Sequence, residues 1–146
     1  MRIQGMKKLL VLPVALAALA LAGAIGLAQD AGPYADSSAV FSQMSSNTQG
    51  AVEQSVMHSP VGDVLAVYIV RTAQEVYTKQ DELVIVLSGH GKATVGYPSY
   101  DLKPGSLLSI PRNTAFQITA SGNAPIKAYV IATPSDNPND KRVLHP

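Results

Sequence analysis

The chain has no cysteine, no tryptophan and only two phenylalanines in 146 residues. Without cysteine there can be no disulfide, no thiolate metal site and no thiol nucleophile, so core packing alone must hold the fold. Charge is also scarce, at 14% Asp, Glu, Lys and Arg with a formal net charge of +1. Three of the basic residues, Arg2, Lys7 and Lys8, fall in the first eight positions; the rest of the chain holds 8 basic against 10 acidic residues. A mildly acidic body with no basic cluster argues against nucleic-acid binding. No G-x-S-x-G, H-E-x-x-H or P-loop pattern occurs, and nothing in the sequence groups the Ser, His and Asp residues. The length fits one compact domain and excludes a large multidomain enzyme.

What is present begins with an address label. Met1 to Lys8 is basic, and Leu9 to Ala28 is an apolar run rich in Ala and Leu that ends in Gly26-Leu27-Ala28 before the polar Gln29-Asp30. Small residues at Gly26 and Ala28 suit the −3 and −1 positions of a signal-peptidase site, so residues 1–28 read as a cleaved signal peptide. The competing reading is a retained anchor, since about 20 apolar residues span a bilayer. Pro13, Gly23 and Gly26 weaken a stable span, and the small-residue exit favours cleavage. The expectation is a periplasmic or secreted protein with no membrane association once the signal is removed.

In the mature chain, residues 29–60 read as a lead-in containing one short helix, with Val40, Phe41 and Met44 at i, i+1, i+4 and an interruption at Asn47–Gly50. From Val64 the pattern turns to strands. Val64–Val70 is a nearly continuous β-rich run, as expected for a strand covered on both faces. Glu75–Thr78, Leu83–Leu87, Lys92–Val95, Leu107–Ile110, Ala115–Thr119 and Ile126–Thr133 follow. Gly89-His90-Gly91 offers hairpin chemistry, Pro104-Gly105 a type II turn, and Ser121-Gly122-Asn123 a further turn. Tyr97-Pro98-Ser99-Tyr100 reads as a loop able to cover a barrel mouth, and residues 135–146 as a polar tail. Many short strands at regular spacing mean an all-β barrel or sandwich, here over residues 61–134.

Two segments carry a more specific pattern. Glu82-Leu83-Val84-Ile85-Val86-Leu87-Ser88-Gly89 resembles the first cupin motif, in which an acid is followed seven residues later by a turn glycine. Gly105 to Phe116, with Pro111 six residues after the glycine, resembles the second. Asn113 stands where that motif usually has glycine after the proline; asparagine tolerates the left-handed region, so the turn can survive. The resemblance spans about Val64 to Thr133. It implies a double-stranded β-helix barrel of the jelly-roll type with one interior pocket. It also implies a divalent metal held by two His, one Glu and a third His.

Most of those ligands are missing. The first two His positions are occupied by Glu75 and Tyr77, or by Val76 and Thr78 if the gap is shorter, and the third by Phe116. Only Glu82 remains of the implied set. His58, His90 and His145 are too scattered to replace the others. Zn, Fe(II) and Ni lose their usual imidazole donors, so no cofactor is expected. The alternative is a hard divalent metal on the oxygens of Glu75, Tyr77 and Glu82.

Glu75 and Tyr77 share strand parity and so face one side. If that side is interior, they and Glu82 could hydrogen-bond a polar ligand, or act as acid and base. The competing reading puts Glu75 at a solvated rim and Tyr77 in the core. Glu82 alternates with Val84 and Val86, and a buried carboxylate must be protonated, paired or bound. Phe116 points to a drier pocket of ordinary ligand-site composition, which is also ordinary core. The candidate ligand-binding residues are therefore Tyr77, Glu82, Phe116 and Glu75. The first expectation is an exported small-molecule binding module of unknown ligand. The alternatives are a cupin-type isomerase, lyase or oxygenase, and a filled barrel serving as a structural subunit. Homodimerisation through edge strands and terminal segments fits all three.

Overall fold

The structure is a computed structural model and describes residues 34–44, 50–135, 137 and 139–145. The expected signal peptide and its cleavage site lie outside the described residues.

Helix α1 (Ser37–Gln43) forms at the Val40/Phe41/Met44 spacing, and the Asp36 carboxylate caps it by accepting the Ala39 amide at 2.9 Å. Ten strands follow among the described residues: β1 (Ala51–Ser59), β2 (Gly62–Ile69), β3 (Glu75–Val76), β4 (Asp81–Ser88), β5 (Gly91–Val95), β6 (Ser99–Leu102), β7 (Leu107–Ile110), β8 (Phe116–Ala120), β9 (Ile126–Thr133) and β10 (Arg142–Val143). They form two five-stranded sheets, ordered β1-β2-β9-β4-β7 and β10-β3-β8-β5-β6, with antiparallel pairing. This is the all-β barrel that the strand spacing implies, of the jelly-roll type that the cupin resemblance implies.

Between the sheets, alternate residues of each strand meet. Leu65, Val67 and Ile69 of β2, Val84 and Val86 of β4, Ile118 of β8 and Val130 of β9 belong to one buried cluster. A second cluster lies on the outside of the first sheet, where Phe41 and Met44 cover Ala66 and Tyr68. Phe41 meets the Tyr68 ring edge-on at 5.3 Å, and the Tyr68 hydroxyl donates to the Phe41 carbonyl at 3.1 Å. The helix explains why β2 reads as a continuous apolar run: its outer face is buried too.

Turn chemistry follows the sequence at two positions. Gly105 has φ +88° and the Ser106 amide donates to the Lys103 carbonyl at 2.9 Å, as a type II turn requires. Asn113 occupies the left-handed region at φ +60°.

Elsewhere the structure corrects the reading. Residues 51–59, expected in the lead-in, are the edge strand β1; a bulge between Ser55 and Met57 breaks the alternation that would have revealed it. His58 therefore lies within a strand. Ser99 and Tyr100, expected in the Tyr97–Tyr100 loop, open the edge strand β6 (Ser99–Leu102) on β5. The tail contributes β10, paired with β3. Gly89-His90-Gly91 is not a hairpin turn, because β4 and β5 belong to different sheets. It carries the chain across the barrel, where a Cβ on Gly89 would lie 2.6 Å from the Pro125 carbonyl oxygen.

Candidate functional site

Glu82 sits in mid-sheet, opposite Ala132 on one side and Ile110 on the other, and is 6% exposed. The β4 alternation that buries Val84 and Val86 puts its carboxylate on the same interior face. Gln80, buried beside it, donates from Nε2 to Glu82 Oε1 at 3.0 Å. The Gln80 Oε1 atom in turn accepts the Asn137 amide at 3.1 Å. A buried carboxylate is thereby tied, through one side chain, to the C-terminal segment.

The opposite wall comes from β3 and β8. Glu75 pairs directly with Phe116, so both face inward. Tyr77, two residues on, is buried and stacks on Phe116 with ring centroids 5.7 Å apart and planes 16° from parallel. The left-handed turn has a positional consequence here: the Asn113 amide donates to the Tyr77 carbonyl at 2.6 Å.

Glu75, Tyr77, Glu82 and Phe116 all line one cavity of about 30 Å³. The structure thus brings together all four residues singled out from sequence. That volume holds about one or two water molecules. The barrel interior is largely filled, chiefly by the Tyr77–Phe116 stack.

Two further site residues escaped the sequence reading. Glu53, opposite Val67 on edge strand β1, also lines the cavity. Lys141 precedes β10 and sets its Nζ 3.3 Å from Glu53 Oε1 and 3.9 Å from Glu75 Oε2. Only the β1 alternation could have signalled Glu53, and the bulge obscures it. No local signal marks Lys141, because β10 exists only through its pairing with a distant strand.

The electrostatics of this mouth follow from burial and charge. Burial pushes the Glu75 carboxyl above the usual range; Lys141 opposes that rise and Glu53 adds to it. Burial alone would lower the Lys141 ammonium, but Glu53, Glu75 and Glu82 together hold it above the usual lysine range. Three carboxyl groups thus share one ammonium at this mouth.

The His-type metal implied by the sequence resemblance does not fit these residues. Tyr77 and Phe116, which stand at implied imidazole positions, stack on each other. Among the described residues no three His, Cys, Asp or Glu side chains are grouped to hold a metal ion. His58 lies outside the cavity lining, with Nδ1 2.5 Å from Asp63 Oδ1. A larger hollow of about 420 Å³ opens between β6 and β7, lined by Tyr100, Leu102, Leu107 and Leu108. Its single carboxylate, Asp101, is paired with Lys92 at 2.7 Å, so it lacks the chemistry of the interior site. Tyr100 belongs to this hollow and Tyr97 is fully exposed; neither lines the cavity that holds Glu82.

Comparison with known proteins gives the same architecture. The sequence pattern of the cupin domain matches residues 71–132. An uncharacterized protein of Methanocaldococcus jannaschii is 26% identical over 111 residues, covering 75% of this chain and 83% of that one. An uncharacterized conserved protein of Klebsiella pneumoniae with a double-stranded β-helix domain superposes with a TM-score of 0.65 at 13% identity, covering 79% of this chain and 99% of that one. The Streptomyces nucleoside dehydratase Pac13, solved with uridine in variant form, gives a TM-score of 0.58 at 20% identity and covers 68% of this chain and 82% of its own. At these identities the structural likeness shows the fold alone.

Proposed function

We propose that this chain, a member of the cupin superfamily, binds a small neutral or cationic polar molecule at the mouth of its barrel, without the His-type metal site. One observation carries the reading: Glu75, Tyr77 and Glu82 converge on one cavity with an aromatic wall. A few polar groups fixed on an apolar lining is the usual composition of a small-molecule site. The excess of carboxyl groups, Glu53, Glu75 and Glu82, over the Lys141 ammonium supports the charge preference. The reading includes export of the mature chain from Gln29, supported by the basic-apolar N-terminus. It also includes pairing of two copies, supported by Leu83, Leu87 and Leu107 exposed on strands β4 and β7 of one sheet.

A panel of nucleosides, polyols, alkylamines and organic acids tests it by thermal shift on the mature protein. Neutral or cationic members should raise the melting temperature and acids should not; a ligand at a hundred times its Kd adds about 2.7 kcal/mol. Glu82→Gln should abolish the shift while the protein stays folded. No shift from any compound at millimolar concentration, or a shift from acids alone, would overturn the reading.

A second reading has one observation in its favour. Glu75 is a half-buried carboxyl held above its usual range beside an ammonium, which suits a general acid or base. Cupin chemistry without a metal, of the dehydration or isomerisation type, would use it. Full turnover retained by Glu75→Gln, once a substrate is in hand, would remove this reading.

A further inference from the structure

One side of the barrel cavity is lined by Glu53 of β1 and Glu75 of β3, near the edges of the two sheets, β1 and β10. No ladder joins those strands. What spans them is Lys141, whose Nζ reaches Glu53 on β1 at 3.3 Å and Glu75 on β3 at 3.9 Å. Both Glu53 and Lys141 lie outside the cupin-domain match at residues 71–132.

The segment that carries Lys141 is held unevenly. At its root, Asp140 is buried and its carboxylate accepts the Thr78 hydroxyl and the amides of Thr78 and Lys79, at 2.5, 3.0 and 2.7 Å. Beyond Lys141 the attachment is slight: a two-residue strand, exposed on both residues, and one bond from the Leu144 amide to the Gln74 carbonyl at 2.8 Å. Val143 and Leu144 are 47% and 39% exposed, so neither is a core residue. Segments with few buried contacts open locally at low free energy, whereas Asp140 is fixed well enough to act as the pivot. The cavity, at about 30 Å³, is too small for an organic ligand in this conformation.

We infer that residues 141–144 form a strap over the barrel mouth, hinged at Asp140 and latched by Lys141 on Glu53 and Glu75, and that ligand entry requires the latch to release. This rests on the binding reading above and supplies its access route. The side chains of Lys141 and Glu53 are each about a third exposed, at 31% and 36%, so the latch is screened by salt. Release would expose the Glu53 and Glu75 carboxylates to an incoming neutral or cationic group.

The absence of cysteine makes a direct test available. Val67→Cys places a single thiol on the cavity wall opposite Glu53, and Val56→Cys places one in the separate cluster under α1. The readout is the rate of modification by a thiol reagent under native conditions. In the Val67→Cys background, Lys141→Met should speed labelling about two- to fivefold, as loss of a partly screened ion pair implies. Lys141→Arg should leave the rate near its starting value, 0.5 M NaCl should raise it, and truncation after Asp140 should give the fastest labelling. Val56→Cys should respond to none of these. Unchanged labelling of Val67→Cys in Lys141→Met and in the truncated chain would overturn the strap. So would equal acceleration at both thiols, which marks general loosening. Because the assay needs no ligand, a strap that opens in a protein that binds nothing would refute the binding reading and leave the strap standing.

Discussion

Removing the Phe116 ring gives the sharpest test of how the barrel is filled. Phe116 is 4% exposed and stacks on Tyr77 at 5.7 Å, on a cavity that already measures about 30 Å³. Phe116→Ala deletes about 100 Å³ of ring, and at about 24 cal/mol per Å³ an unrelaxed void of that size costs about 2.4 kcal/mol beyond the lost transfer energy. The lost aromatic pair adds about 0.5–1.5 kcal/mol. With a transfer energy of about 1.5–3 kcal/mol the unrelaxed sum is about 4–7 kcal/mol, and tilting of Tyr77 into the space should bring the measured loss to about 3–5 kcal/mol. Urea denaturation of variant and parent, fitted with a common m-value, reads this directly. The new apolar void should also take benzene, so saturating benzene should return part of the lost melting temperature in Phe116→Ala and leave the parent unmoved. A loss below about 1 kcal/mol, or benzene stabilising both proteins equally, would refute the filled interior.

Two other outcomes follow from the geometry. Gly91→Ala sets a Cβ onto the Thr119 carbonyl oxygen and 2.7 Å from Ile126 Cδ1, so it should cost about 1–3 kcal/mol or more; an unchanged urea midpoint would contradict the close approach of β5 to β8. Arg112 grips Asp81 through its Nε, one terminal nitrogen and its backbone amide, and holds that carboxyl down to about 2 from an ordinary 3.8. A depressed carboxylate stabilises the fold above its unfolded pKa and ceases to as pH falls through its folded one. The melting-temperature gap between parent and Asp81→Asn should therefore be constant above about pH 5 and close between about 4 and 2. Parallel curves over that range would show that the pair contributes no stability.

Much of this was written locally. The alternation of Glu82 with Val84 and Val86 placed a carboxylate on the interior face, because strand parity is a property of the backbone alone. Parity likewise put Glu75 and Tyr77 on one side, and the glycine at 105 and asparagine at 113 specified turns that depend only on their own φ. The signals failed wherever the partner was remote. Strand β1 carries a bulge and few apolar residues, so its alternation is broken. Strand β6 is a short polar edge. The Gly89–Gly91 segment has the composition of a hairpin, yet which sheet β5 joins is decided by β8.

By itself, then, the sequence determined an all-β barrel without disulfides, an acid on an inner wall, and non-imidazole side chains at the positions where the cupin resemblance implies His. Only the tertiary structure decided that Tyr77 and Phe116 stack and fill the interior. It alone brought Glu53 and Lys141, 88 residues apart, to one ion pair across the barrel opening. The reason is physical. Periodicity and turn preferences act over a few residues, whereas a two-residue strand such as β10 has no stability or direction of its own until β3 and the buried Asp140 supply both.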